Sequence, residues 1–280
     1  MPEIFIEDFP ATKPLFGGLE ETHALAQAVT SGRISARVFV DDRSAPSAGV
    51  IVYKSRVLCS GNVTKPGFIR ELDDWFSKEI VSAHLEAGND AFLVCYSSAE
   101  WKAVLEGLFD ECKIYHGERQ YYEIRDFQPT ALPALPEGFS IQAITREFLS
   151  GKLKGLESIR EEMCSERLSV EDFLEHSFGL CPVYEEEVAG WCLSEYNIDD
   201  RCEIGIATLE KHQRKGIATL ETRYFLNEAC RLGYRRVGWD CWKNNVASGA
   251  TARKAGLLLG EEYPASVVVF EKNESRQKQG

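Results

Sequence analysis

Residues 210–218, Glu-Lys-His-Gln-Arg-Lys-Gly-Ile-Ala, set Lys211, Arg214 and Lys215 around a glycine and lead straight into a helical pattern. Before them, residues 202–209 (CEIGIATL) are apolar and β-branched enough for a strand. After them Ile217, Leu220, Tyr224, Phe225, Ala229 and Leu232 share one face at a 3.6-residue period, and Gly233 stands where a helix C-cap belongs. A glycine turn that enters a helix leaves several backbone N–H groups unpaired and pointing outwards. Together with the positive end of the helix dipole they suit a phosphate or pyrophosphate. Gly216 and the small Ala218 let such a ligand approach the backbone closely. The chemistry offered is anion binding, and the local cations agree with it.

The hexapeptide Gln213-Arg214-Lys215-Gly216-Ile217-Ala218 fits the Q/R-x-x-G-x-G/A signature of GNAT-type N-acyltransferases, at the same kind of strand-to-helix junction. Downstream, Asn245-Val246-Ala247-Ser248 and Lys254-Ala255-Gly256-Leu257 resemble that family's second motif, an Asn opening a helix that ends in Gly plus a hydrophobe. The resemblance covers residues 135–271. It implies direct transfer of an acyl group from acetyl-CoA, or another acyl-CoA, to an amine, without a covalent enzyme intermediate and without a metal. It implies a pyrophosphate held by the signature, Gln213 and the backbone N–H groups of Arg214, Lys215, Gly216, Ile217, Ala218 and Thr219. The pantetheine arm would run along Ile206, Ala207 and Thr208, with a main-chain N–H near Ala207 polarising the thioester carbonyl. Asn245 and Ser248 of the second motif are the remaining CoA candidates.

The attacking amine is cationic in water and needs a base. Some family members carry a catalytic glutamate where Glu203 stands here, at the start of the central strand. A half-buried carboxylate there could bind its proton more tightly than usual and act directly or through water. The alternative is that Glu203 faces solvent or a neighbouring cation; Glu195 and Asp199 are the reserves. Many members also supply a Tyr from the second motif to protonate the leaving thiolate. Counted from Asn245 that position is Ala252, and no Tyr lies between Asn245 and Gly256. This departure opens a second reading, a non-catalytic acyl-CoA-binding sensor or interaction protein with the same fold. Tyr263 and Cys241 could be drawn in from neighbouring strands as the acid, but read first as packing residues, His212 as a solvated loop residue, and Trp101, Trp191, Trp239 and Trp242 as core or pocket walls. Residues 152–167 read as a charged helix surface.

The elements that must position these residues occupy only half of the 280-residue chain, so two domains are expected. Ahead of the motifs come strands at 139–143, 181–186 and 188–196, helices at 152–164 and 170–176, and caps at Thr145 and Ser169. Behind them come a strand at 236–242, a helix at 246–255 and strands at 257–260 and 266–271. The first half repeats this order: strands at 36–41 and 49–59, the latter one strand or two halves with a kink, a helix over 69–88, a strand at 91–96, a helix at 98–108 and a hairpin over 113–124 turning near His116-Gly117. In place of the phosphate signature it carries Thr64-Lys65-Pro66-Gly67-Phe68-Ile69, where Pro66 removes an N–H donor. The expectation is an α/β protein of tandem GNAT-like domains with mixed sheets, the first degenerate. It would comprise 1–128, a proline-rich linker over 129–138, and an acyl-CoA-binding domain over 139–280.

A formal charge of −12 argues against general nucleic-acid binding and favours a cationic substrate such as an amine. Nine cysteines without a Cys-x-x-Cys pair fit reduced thiols in the cytoplasm and give no metal framework. No apolar run is long enough to span a membrane and no signal peptide is apparent. The degenerate copy is expected to cover part of the acceptor cleft or to form a homodimer surface. The tail at 275–280 is polar and expected to fray.

Overall fold

A computed structural model describes residues 3–270 of the chain; the tail expected to fray lies outside them. The described residues form two compact units, one running to Glu118 and resuming at Pro264, the other Arg119–Tyr263. In chain order the first unit contains strands β1 (Glu3–Ile4), β2 (Arg37–Val40), β3 (Ala48–Tyr53), β4 (Arg56–Gly61) and β5 (Ala91–Tyr96). Its helices are α1 (Lys13–Glu20), α2 (Ala24–Thr30), α3 (Pro66–Trp75), α4 (Val81–Glu86) and α5 (Glu100–Leu108), with a π turn at Phe76–Ile80 joining α3 to α4. Strand β6 (Lys113–Arg125) then carries the chain into the second unit.

There β7 (Phe139–Ala143), α6 (Arg146–Leu149), α7 (Leu156–Glu166) and α8 (Val170–His176) precede β8 (Gly179–Tyr184), β9 (Glu187–Val188), β10 (Gly190–Ile198) and β11 (Arg201–Thr208). The unit continues with α9 (Ile217–Arg231), β12 (Arg236–Trp242) and α10 (Val246–Ala255), and β13 (Leu258–Val269) leads back to the first. Local chemistry explains the helix ends. The Thr145 and Ser169 hydroxyls accept from the N–H groups of Phe148 and Asp172, as expected of N-caps. Gly233 and Gly256 take the left-handed conformation (φ 96° and 107°) that closes α9 and α10.

Each unit has one strand order. The first reads β1-β2-β3-β4-β5-β13, antiparallel throughout except for β4 beside β5. The second reads β7-β8-β10-β11-β12-β6, antiparallel except for β11 beside β12. Two copies of one fold would repeat an order in this way. In each, the last strand comes from the other half of the sequence. Ala265–Val269 of β13 pair with β5, and Arg119–Arg125 of β6 pair with β12.

Two local expectations are corrected here. The expected hairpin at 113–124 is one continuous strand, because Gly117 takes no left-handed turn and residues 119–125 pair with β12 along its full length. The two strands expected at 257–260 and 266–271 are likewise one, β13. The units divide inside β6 and β13, and residues 128–138 belong wholly to the second unit, tied to α9 by Thr130 and Asn227, which exchange hydrogen bonds of 2.9 and 2.8 Å.

In the second unit, side chains alternate across the sheet. Cys192, Cys202, Ile204, Val237, Trp239 and Tyr122 face the apolar side of α9 and α10. Trp191 and Leu193 face the opposite way, into a core with Ile159 and Met163 of α7 and Phe173 of α8.

Candidate active site

Strands β11 and β12 run side by side only as far as Ile204 and Trp239. Beyond that pair both continue, β11 to Thr208 beside β10 and β12 to Trp242 beside β6. The two parallel strands therefore part, and the edge of β11 that faces β12 loses its ladder partner from Gly205 onwards. Burial changes at the same point: residues 201–204 are buried and 205–208 half-buried. An extended ligand with amide groups could take over the ladder that β12 has left. Ile206, Ala207 and Thr208 lie on this stretch.

The chain then folds through one 3-10 turn, Glu210–His212, into the expected loop. The exposed Gln213 side chain donates to the Thr208 carbonyl (2.9 Å), so it braces the loop. Arg214 and Gly216 both have positive φ, 61° and 79°, and left-handed residues of this kind turn neighbouring N–H groups towards a common point. Gly216 precedes α9 without a side-chain cap, so the first-turn N–H groups of Ile217, Ala218 and Thr219 have no partner within the helix. A Cβ placed at Gly216 would meet open space within 4 Å. Arg214 and Lys215 are exposed, and the Lys215 ammonium lies 5.6 Å from the Tyr184 ring centre and 5.8 Å from that of Phe139. These features fit an anionic, elongated ligand such as a CoA thioester.

His212 departs from expectation. It is 3% exposed, its Nε2 lies 3.0 Å from the Glu187 carboxylate, and Phe139 and Tyr184 enclose its ring. Lys211 pairs with the same carboxylate, so this part of the loop is anchored rather than solvated. Asn245 caps α10 by accepting from Ser248 N–H (3.1 Å), and Ser248 Oγ accepts from Trp239 Nε1 (2.9 Å). Both residues hold α10 in place against β12. Ala252 is wholly buried in the core beneath α10.

The carboxylates gather on the sheet face opposite α9. Glu195 stands directly across from Glu203, and Glu203 beside Gly238; paired residues share a face. Glu203 is not turned to solvent. Arg201 Nη2 lies 3.1 Å from its Oε1, and the same nitrogen lies 3.1 Å from the Tyr121 hydroxyl. All three are buried, and burial drives the Tyr121 phenol up to about 12. Gly238 makes room for this group: a Cβ there would lie 2.6 Å from the Tyr121 hydroxyl and 3.0 Å from Glu203 Cγ. Glu195 is half-buried and lies over Gly205, with its Cδ 2.7 Å from the position a Cβ would take. Farther along β12, Asp240 is held by Arg119 and accepts from the Tyr263 hydroxyl, and the Arg119 guanidinium lies 4.8 Å from the Trp242 ring centre. Asp199 sits exposed in the β10–β11 turn with φ 50°.

Arg201, Tyr121, Gly205 and Gly238 escaped sequence reasoning. The signal for the glycines was present, since a Gly inside a strand pattern marks a close approach to the backbone. Residues 152–167 are also less solvated than expected at their end: Glu166 accepts from the Tyr196 hydroxyl, and Arg167 pairs with Asp172 at 3.0 Å. A pocket of about 600 Å³ opens near the other end of α9, beside Glu228 and Leu232. At 1.5 Å per residue, Glu228 is roughly 18 Å along the helix from Gly216, so this pocket is not part of the loop, and neither Glu195 nor Glu203 lines it.

In the first unit the corresponding parting is closed. After Cys59 and Tyr96, Ser97 N–H donates to the Cys59 carbonyl (3.0 Å), and Trp101 Nε1 to the Gly61 carbonyl (3.1 Å). A Cβ at Gly61 would lie 2.6 Å from Leu15 of α1. Helix α3 starts at Pro66, and Lys65 before it is paired with Asp41.

Among the described residues, no group of three or more His, Cys, Asp or Glu is arranged to hold a metal ion, and no helix is long and apolar enough to cross a membrane. Comparison with known proteins gives a consistent result. The family model for GNAT acetyltransferase matches residues 13–266. The chain is 24% identical over 232 residues to the uncharacterized N-acetyltransferase YdfB of Bacillus subtilis, covering 82% of this chain and 84% of that one. Its fold is similar to that of a GCN5-related N-acetyltransferase-like protein from Streptococcus suis, with a TM-score of 0.68 at 18% identity over 95% of this chain and all of that one. It is also similar to a tandem GNAT protein from the clavulanic acid biosynthesis pathway, with a TM-score of 0.53 at 11% identity over 97% and 98% of the two chains.

Proposed function

The chain belongs to the GNAT acetyltransferase family, and from that premise we propose that it transfers an acetyl group from acetyl-CoA to an amine on a small molecule or polypeptide. The observation that carries the reading is the parting of β11 and β12 after Ile204 and Trp239, beside the uncapped start of α9. Acetyl-CoA supplies an activated thioester. The N–H groups of Arg214–Thr219 bind its pyrophosphate, with Arg214 and Lys215 adding charge. The free edge of Ile206–Thr208 orients the pantetheine arm, and a main-chain N–H near Ala207 polarises the carbonyl. A carboxylate of the opposite face, Glu203 or Glu195, holds the proton that the amine must lose. Acidic side chains there also favour a cationic acceptor. The nine cysteines are all free, which supports a reducing, cytoplasmic setting.

Incubation of the full chain with acetyl-CoA and a panel of amines and amino-terminal peptides, with products followed by mass, tests this. An acetylated amine supports the proposal. No acetylated product from any amine, with acetyl-CoA still bound, would favour the sensor reading, for which the buried Ala252 in the usual tyrosine position is the specific observation.

A further inference from the structure

Trp191 stands on β10 directly across from Ala207 of β11, on the sheet face that also carries Glu195 and Glu203. The indole is 8% exposed and belongs to the core with Leu193, Ile159, Met163 and Phe173, against which Ala207 also packs. Those neighbours are apolar, and Trp191 Nε1 has no hydrogen-bond partner among the described residues. An indole nitrogen donates and cannot accept. Buried tryptophans usually find an acceptor for this N–H, because leaving it unpaired costs the full desolvation of the group. What this indole calls for is an acceptor. Ala207, its neighbour across the ladder, marks the place assigned above to the thioester carbonyl, on the stretch of β11 that β12 has left.

We propose that the Trp191 indole N–H donates to the carbonyl oxygen of the bound thioester. It would act beside the main-chain N–H near Ala207, so that two donors meet the oxygen on which charge develops. This rests on the acyl-transfer reading above. In the step, the amine nitrogen bonds to the acyl carbon and the carbonyl electron pair moves onto oxygen; its return breaks the carbon–sulfur bond. The proton lost by nitrogen passes to a carboxylate of this face, and the CoA thiolate takes a proton from solvent. Trp191 keeps its own proton throughout. Its apolar neighbours keep water from the nitrogen, and a hydrogen bond to a charged oxygen is stronger in such surroundings than in water.

The test follows the indole N–H signals of the full chain by proton–nitrogen correlation NMR during titration with acetyl-CoA and, separately, with CoA, which has no thioester carbonyl. Calorimetry on the same samples establishes that each ligand binds. Loss of a signal in Trp191→Phe assigns it; if that variant does not fold, Phe substitutions at the other tryptophans assign it by elimination. The Trp191 signal is expected to move downfield at saturation with acetyl-CoA and to stay in place with CoA. Folded Trp191→Phe, which keeps an aromatic ring in the core, should lower kcat by about 100-fold, the scale for removing one such donor, with KM for acetyl-CoA unchanged within about twofold. A Trp191 signal that stays in place with acetyl-CoA bound, or moves equally with both ligands, would overturn the assignment, as would an unchanged kcat in folded Trp191→Phe. Wild-type protein that binds no acetyl-CoA, or binds it and acetylates no amine, would overturn the acyl-transfer reading and this role with it. Active wild type with an unmoved Trp191 signal overturns the role alone.

Discussion

Arg201 is 2% exposed and Glu203 8%, and the two form a buried ion pair at 3.1 Å. Removing one partner of a buried pair typically costs about 3–5 kcal/mol, because the remaining buried charge loses compensation. Arg201→Gln is expected to lose stability on that scale in urea unfolding, and the loss should shrink markedly when Glu203→Gln is made in the same chain. Equal losses in both backgrounds would mean that Arg201 stabilises the fold through packing alone. At this scale the loop geometry of the proposed anion site was legible in the sequence, because a turn glycine, its cations and a helix start are contiguous. The carboxylate face was only half legible. Glu195 and Glu203 could be named, but Arg201 and Tyr121 join them through strand register and a strand from residues 113–125, neither of which local spacing encodes.

Helix α9 carries the proposed phosphate site at its start, and one turn later it buries Glu221 completely, with neither carboxyl oxygen hydrogen-bonded within the described structure. Burial raises the proton affinity of this carboxyl well above its ordinary value near 4.5. Its surroundings include Cys181 and Cys192, whose thiols are themselves pushed up, first by burial and then by Glu221. Because the folded state holds the proton more tightly than the unfolded chain, the stability linked to this group is complete below the ordinary glutamate range. It drains as pH rises through and beyond that range. Glu221→Gln, which cannot ionise, should therefore flatten the fall in stability between pH 5 and pH 8 seen for wild type in urea titrations. Parallel wild-type and variant profiles would show that Glu221 is ionised and compensated in the native protein. For α10, Asn245→Ala should cost about 1 kcal/mol of unfolding free energy through the lost cap; a change below a few tenths would deny the capping role. Both helices were readable from period and caps. The long strands β6 and β13 were not, since a glycine or proline inside them looks like a turn until the register is known.

Across the whole molecule, the repeated strand order supports descent of the two units from one fold, and the exchange of last strands ties each half of the sequence to the other unit. A proline-rich stretch is a sound boundary signal only when no pairing crosses it. Here the strand that completes the second sheet, residues 119–125, lies before that stretch. A fragment of residues 119–263 should therefore melt cooperatively, while 139–280, which lacks that strand, should show exposed hydrophobic surface and a broad transition. Matching cooperative melts for both would show that β6 is dispensable to the second unit. The central claim, that acyl-CoA binds where β11 opens onto α9, is tested most directly by calorimetric titration of acetyl-CoA into the full chain and into Gly216→Trp. Saturable binding to the wild type is expected, with its loss in the variant, whose indole would fill the space above the loop. Equal binding by both proteins, or none by either, would contradict it.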